Sequence, residues 1–198
     1  MSETQHESVL ARHGETAWSL SGRHTGTTDL PLTARGEEMA RRVGQALAGR
    51  HFSLILVSPL LRARQTCDLA GFGAQALVTP DLAEWTYGAY EGLTTAEIHT
   101  HRPGWSLWQD GCPEGEDAGA VGRRADRVIE RIRATGGNVL LFAHGHVLRV
   151  LAARWLGLPA PDGKLLALET GSLGALGYER DQAVILRWNA PAEPGPGA

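Results

Sequence analysis

Four short apolar runs punctuate the chain, and between them apolar residues recur at helical spacing. "SVLA" (8–11), "SLILV" (53–57) and "NVLLFA" (138–143) are stretches of strand length, and continuous runs of this kind read as strands buried on both faces. "QALVT" (75–79) reads as a further short strand. "LTARGEEMARRVGQAL" (32–47) sets Met39, Val43, Ala46 and Leu47 at helical spacing, with Thr33 placed as N-cap. "SPLLRARQTCDLA" (58–70) carries Pro59 near its start and predicts a helix to Ala70. Asp117 stands where it caps a longer helix, in which Val121, Ala125, Val128, Ile129 and Ile132 form one apolar stripe. Residues 147–156 predict an apolar helix behind "NVLLFA". "LGALGYER" (173–180) and "AVILRW" (183–188) flank "DQ" and predict an antiparallel pair. Residues 83–117 are weakly periodic and richer in Gly, Trp and Tyr, which predicts a loop with one short helix near 94–99.

Strands alternating with helices predict an α/β fold, a three-layer sandwich with a mostly parallel central sheet and helices on both faces. The 198 residues suit one domain with a full core. It is read as residues 1–188, with the Pro/Gly-rich "NAPAEPGPGA" (189–198) as a disordered tail. In such sheets ligands bind beyond the carboxyl ends of the strands, so the strand tips are where chemistry is expected.

Composition removes several classes of partner. Hydrophobic residues at 42% and charged residues at 21% are ordinary for a soluble domain. A net charge of −3 gives no basis for nucleic-acid binding. Of the 19 basic residues only Lys164 is not arginine, so the number of arginines says little and their positions must carry any argument for anion binding. Cys67 and Cys112 stand in no metal or redox spacing, and a reduced, cytoplasmic state is expected over a bridge between them. The N-terminal "MSETQHE" has no apolar core of a signal peptide, and no apolar run is long enough to cross a bilayer.

The strand tips concentrate basic groups. The first run ends in Arg12-His13-Gly14, the second in Ser58-Pro59 with Arg62 just inside the helix, and "NVLLFA" in His144-Gly145-His146. A parallel sheet brings these tips to one edge. Arginine offers a planar fork of donors that fits two phosphate oxygens, and Gly145 opens a helix whose first N–H groups are free to point at an anion. Such a cluster makes sense around a tetrahedral anion. Neighbouring guanidinium groups keep His13 neutral, and a neutral imidazole nitrogen aimed at phosphorus is a nucleophile. The leaving group needs an acid. Glu84 in "LAEWTYGAYEG" is the candidate, with Glu91, Glu97, Glu114, Glu116 and Asp117 competing.

The same residues carry a resemblance. "LARHGETAW", "TGTTDLPLTARG", "VSPLLRARQT", "EWTYGAYEG" and "FAHGHVLRVLAARWLGLP", in this order along most of the chain, resemble the histidine phosphatase superfamily in its phosphoglycerate-mutase-like branch. The resemblance implies His13 as the phosphorylated nucleophile, Arg12, Arg62 and His144 as the phosphate pocket, and Glu84 as proton donor. It also implies substrate contacts at Thr25 and Gly26, with Arg23 beside them, and a ring at the pocket mouth in Tyr87. Ser19 stands where mutases tend to have asparagine, and Thr95 where they use a lysine. The long mutase insertion with paired arginines is shorter here, and the adjacent pair Arg123-Arg124 falls in a predicted helix. His146 replaces the usual residue after His-Gly. These departures imply hydrolysis of a small phosphomonoester without cofactor or metal, with a cofactor-dependent phosphoglycerate mutase as the alternative. "RPGWSLWQDGCPEGED" and "AHGHVLR" look closer to sugar-phosphate and acid phosphatases of the superfamily, including sedoheptulose-bisphosphatase-like enzymes.

Other residues carry bland readings beside sharp ones. Trp85, Trp105 and Trp108 either wall a substrate cavity or, the preferred reading, fill the core under the long loop. Ser172 either approaches the pocket or sits in a turn, and Arg149 reads as structural. The pairs His99/His101 and His144/His146 invite a metal-site reading, but no Cys or carboxylate completes a ligand set. The last two strands offer an edge along which a homodimer is possible.

Overall fold

The computed structural model describes residues 6–193. Its strands are β1 (Ser8–Arg12), β2 (Leu54–Val57), β3 (Leu77–Val78), β4 (Val139–Ala143), β5 (Leu173–Glu179) and β6 (Gln182–Ala190), joined in one sheet of order β3-β2-β4-β1-β5-β6. β1, β2, β3 and β4 are mutually parallel, while β5 runs antiparallel to β1 and β6 antiparallel to β5. Seven α-helices accompany them among the described residues: α1 (Ala17–Ser21), α2 (Ala34–Ala46), α3 (Leu61–Leu69), α4 (Thr95–His101), α5 (Leu107–Asp110), α6 (Ala118–Ala134) and α7 (Gly145–Trp155).

The alternation of side chains along the central strands divides the core in two. Val9, Ala11, Ile55, Val57, Leu140 and Phe142 pack with Val43 of α2, Leu47 just after it and Ala63 of α3. Leu10, Leu56 and Leu141 face the other way and pack with the apolar stripe of α6 and with Val147, Leu148 and Leu151 of α7. This is the expected three-layer sandwich, and it follows from the period of two in a strand against 3.6 in a helix. Cys67 belongs to the first core and Cys112 to the second. The sheet lies between them, both thiols are free, and burial pushes each up to about 12.

Thr33 caps α2 by accepting the Gly36 N–H at 3.0 Å, and Asp117 caps α6 by accepting that of Ala120 at 2.7 Å, both as the sequence predicts. Several boundaries differ. The run at 75–79 contributes only two strand residues, both exposed, at the edge of the sheet. The helix after "NVLLFA" begins at Gly145, the residue read as opening it, so its apolar stretch from 147 starts one turn in. β6 continues to Ala190, into the segment read as tail, because it pairs with Leu173; residues 194–198 of that segment lie outside the described residues. The loop from 83 to 117 holds α4, a further short helix α5, and a 3-10 turn at Gly88–Tyr90.

One close approach fixes the loop that follows β1. A Cβ at Gly14 would stand 2.2 Å from Gly36 O, and one at Gly36 would stand 2.1 Å from Glu15 O. Thr33 N–H donates to Glu15 O at 3.0 Å in the same place. The first turn of α2 is thus pressed onto residues 13–15, backbone against backbone. Gly36→Ala is expected to cost about 1–3 kcal/mol of unfolding free energy and to lower activity by displacing His13. Gly136→Ala, in open space, is the control. Urea unfolding of both variants checks this, and equal stability would contradict it.

Candidate active site

The sheet register delivers the site. Arg12 pairs with Ala143, and Phe142 with Val57, so the next residues, His13, His144 and Ser58, leave the sheet side by side. His13 N–H donates to Ala143 O and Ser58 N–H to Phe142 O, each at 3.0 Å, carrying the parallel ladders one step further. The His13 and His144 rings lie 5.1 Å apart, and both residues are buried.

His13 Nδ1 is 2.7 Å from Gly14 O. A carbonyl only accepts, so Nδ1 carries the hydrogen and Nε2 keeps its lone pair. Burial, and then Arg62 and Arg12, hold the ring's pKa well below the usual histidine value. The Gly14 N–H donates to Thr66 Oγ1 at 3.1 Å, and the Thr66 hydroxyl donates to Arg62 O at 2.7 Å. The turn behind His13 is tied to α3 by that hydroxyl. His144 Nε2 lies 2.6 Å from Ser58 Oγ.

Arg12 closes β1 and donates to Leu168 O. Arg62, fully buried, donates to Thr28 O at 3.2 Å, Thr25 O at 2.9 Å and Gly26 O at 3.1 Å. Neither guanidinium forms an ion pair among the described residues. Arg12 Nε, Arg62 Nε, His144 Nδ1 and Glu91 Oε2 are buried and have no partner among the described residues. Buried polar groups are nearly always satisfied, and unpartnered nitrogens on three basic residues suit an incoming acceptor.

Among the competing carboxyls only Glu84 lines the cavity. Its Oε1 accepts the Trp85 and Val147 N–H groups at 2.9 Å each, and its Oε2 accepts that of His146 at 3.0 Å. This narrows one expectation, because the His146 and Val147 N–H groups in the first turn of α7 hold the Glu84 carboxylate and are not free for an outside anion. Gly145 has a different task. A Cβ there would stand 3.2 Å from Arg12 Cζ, so glycine lets the guanidinium lie against the helix start. Glu91 Oε1 accepts the Gly26 and Thr28 N–H groups at 2.9 and 3.0 Å. The 25–28 turn is therefore gripped by Glu91 on its N–H groups and by Arg62 on its carbonyls. Glu97 completes the capping box of α4, Glu116 pairs with Arg124, Asp117 caps α6, and Glu114 adopts a positive φ in an exposed turn.

The cavity measures about 280 Å³, and Arg12, His13, Ser19, Arg23, Thr25, Glu84, Tyr87, Gly145 and His146 line it. Arg62, His144 and Gly26 sit behind it. Arg23 is engaged with Glu97 at 3.2 Å, Ser19 shares a capping box with Thr16, and Tyr87 Oη lies 2.6 Å from His146 Nδ1. The sequence reading missed His24, although it directly precedes Thr25. His24 lines the cavity against Tyr87, with ring centroids 4.8 Å apart. Arg149, read as structural, also lines it while bracing Gly163 O and Lys164 O at 3.1 Å each and lying over Trp108. Trp85 and Trp105 are buried behind the wall with Trp108 beside them, as the packing reading expects. Ser172 belongs to a separate cavity with Met39 and Arg42. Among the described residues no group of three His, Cys, Asp or Glu side chains is arranged to hold a metal ion, and no helix is long and apolar enough to cross a membrane.

The family pattern of the histidine phosphatase superfamily (branch 1) matches residues 8–191. The chain belongs to the histidine phosphatase superfamily. An acid phosphatase of Mycobacterium tuberculosis is 41% identical over 183 residues, covering 90% of both chains. The sedoheptulose 1,7-bisphosphatase of Saccharomyces cerevisiae is 39% identical, over 76% of this chain and 67% of the yeast protein. The solved structure of an open-reading-frame product of Mycobacterium tuberculosis superposes with a TM-score of 0.91 at 38% identity, over 95% of this chain and 99% of that one. This histidine phosphatase therefore keeps the fold of its relatives across nearly its whole length.

Burial is the leading cause that holds His13, His144 and His146 neutral, aided by Arg62 and Arg12 for the first two and by Arg149 for the third. The unfolded chain binds protons near pH ~6.5 that these folded rings refuse, so stability falls as pH drops through that value. Well below that value each such histidine adds up to about 1.4 kcal/mol per pH unit to the slope for as long as it stays neutral in the fold. Urea unfolding free energies should change little from about pH 7.5 to about pH 6.5 through these groups and then decline increasingly steeply toward about pH 5.5; a profile flat down to about pH 5.5 would contradict the neutral assignment.

Proposed function

We propose that this histidine phosphatase hydrolyses small phosphomonoesters, sugar phosphates among them, through a phosphohistidine on His13, with Glu84 as proton donor. The observation that carries this reading is that Arg12 Nε, Arg62 Nε and His144 Nδ1 are buried and unpartnered among the described residues, beside a neutral imidazole whose free nitrogen is Nε2. In the first step Nε2 attacks phosphorus in line. The P–O bond to the leaving group breaks, and that oxygen takes a proton from Glu84. Arg12, Arg62 and His144 stabilise the charge on the equatorial oxygens. In the second step Glu84 takes a proton from water, the water oxygen bonds phosphorus, and the P–N bond breaks to restore His13. Glu84 Oε1 already accepts two N–H groups and Oε2 one, so Oε2 is the oxygen with room for the proton. No step calls on a metal.

Two observations favour hydrolysis over mutase action and a hydroxyl-rich substrate. Ser19 and Thr95, which stand in for the asparagine and lysine that the mutase resemblance leads one to expect, both line the cavity. Together with Thr25 they place three short hydroxyl side chains, and His24 and His146 two imidazoles, around the space beyond the phosphate. The relatives' acid phosphatase and sedoheptulose 1,7-bisphosphatase activities agree with this substrate class.

A substrate with a radioactive phosphoryl group, quenched in denaturant within milliseconds, should leave acid-labile label on the wild-type protein and none on His13→Ala. Equal labelling would remove His13 from the mechanism. Arg62→Met should lower kcat/KM by about 10²–10³-fold. A phosphate-release assay on sugar phosphates should be unaffected by a chelator. Isomerisation of a phosphoglycerate without phosphate release would instead establish the mutase reading.

A further inference from the structure

Glu84 is held at two ends. Its carboxylate caps α7, while its backbone belongs to a segment, residues 80–86, with little regular structure beyond a 3-10 turn at Pro80–Leu82. Arg124 of α6 grips the backbone of that segment. Arg124 Nη1 donates to Asp81 O and Ala83 O at 2.9 Å each, and Nη2 to Glu84 O at 3.4 Å. The same guanidinium forks onto Glu116, with Nε on Oε1 at 2.8 Å and Nη2 on Oε2 at 2.9 Å. Glu116 then binds the other side of the segment. Its Oε2 accepts the Thr86 N–H at 2.9 Å, its own N–H donates to Thr86 O at 2.8 Å, and its carbonyl accepts the Trp85 Nε1–H at 2.9 Å.

We propose that the Arg124–Glu116 pair is a positioning device that fixes the backbone on both sides of Glu84 and so sets where its carboxyl stands in the cavity. This rests on the reading of Glu84 as proton donor. The pair is well shielded, at 15% and 20% side-chain exposure, where a bidentate arginine–carboxylate contact is geometrically specific. Burial works against the Glu116 charge, but the hydrogen bonds from Arg124 and Thr86 outweigh it and keep its pKa below the usual carboxylate range. Arg127, one helical turn on, also reaches this segment through Asp81, but its side chain is 54% exposed, and ion pairs of that kind contribute little. It supplies the control on the same helix.

The test is kcat/KM across aryl and alkyl phosphates of graded leaving-group pKa, for wild type, Glu84→Gln, Arg124→Met, Arg124→Lys, Glu116→Gln and Arg127→Ala. A misplaced acid matters most where the leaving group most needs its proton. Glu84→Gln should steepen the leaving-group dependence. Arg124→Met should steepen it in the same sense, losing ~10- to 100-fold on alkyl phosphates and little on activated aryl phosphates. Arg124→Lys and Glu116→Gln should fall between that variant and wild type, and Arg127→Ala should match wild type. A uniform loss across all leaving groups for the Arg124 and Glu116 variants, beside a steepened Glu84→Gln, would overturn the clamp while leaving the acid in place. No steepening in Glu84→Gln itself would overturn the acid assignment and the clamp with it. If Arg124→Met fails to fold, Arg124→Lys and Glu116→Gln carry the same comparison.

Discussion

Burying guanidinium charge away from any carboxylate partner is the constraint around which this molecule is arranged. Arg12 and Arg62 have lost most of their contact with water, and burial works against both charges, with Glu84 the leading opposing influence. What holds them is a set of backbone carbonyls, from Leu168 for Arg12 and from Thr25, Gly26 and Thr28 for Arg62. Carbonyl dipoles hold a guanidinium in place without cancelling its charge. The field is thus kept for a ligand, and the unpartnered Nε atoms show where the protein's own acceptors end.

The remaining structure supplies rigid surroundings for that field. The turn after His13 is pressed onto the first turn of α2 and tied by Thr66 to α3. The 25–28 turn is held between Glu91 and Arg62, and the Glu84 segment between the start of α7 and Arg124. Each of these loops would otherwise be mobile, since none belongs to the sheet or a long helix. The lowered proton affinity of His13 and its free Nε2 both follow from this arrangement, one from burial among cations and the other from the carbonyl of Gly14.

Much of this was legible in the residue order. The continuous apolar runs, the capping residues Thr33 and Asp117 and the α6 stripe give the layers of the sandwich, because strand and helix periods are local properties. The basic residues at the tips of three such runs point to one pocket once the sheet is taken as parallel. Glu84 was harder to single out, because a carboxylate in an irregular loop looks like its neighbours; the resemblance distinguished it, and the fold then gave its competitors other work. His24 and Arg149 were missed or undervalued because a side chain's path into a cavity depends on loops with no periodic signal.

The sequence by itself determined the sandwich, its polarity and the kind of chemistry at its carboxyl edge, since these follow from apolar spacing and from which residue ends each strand. Tertiary structure alone decided that the His146 and Val147 N–H groups serve Glu84, that Gly145 makes room for Arg12, and that Glu91 and Glu116 are supports. Those choices are made by contacts between segments tens of residues apart, such as Glu84 with Val147 and Arg124 with Asp81, and no local pattern encodes which of several equivalent donors and acceptors will meet.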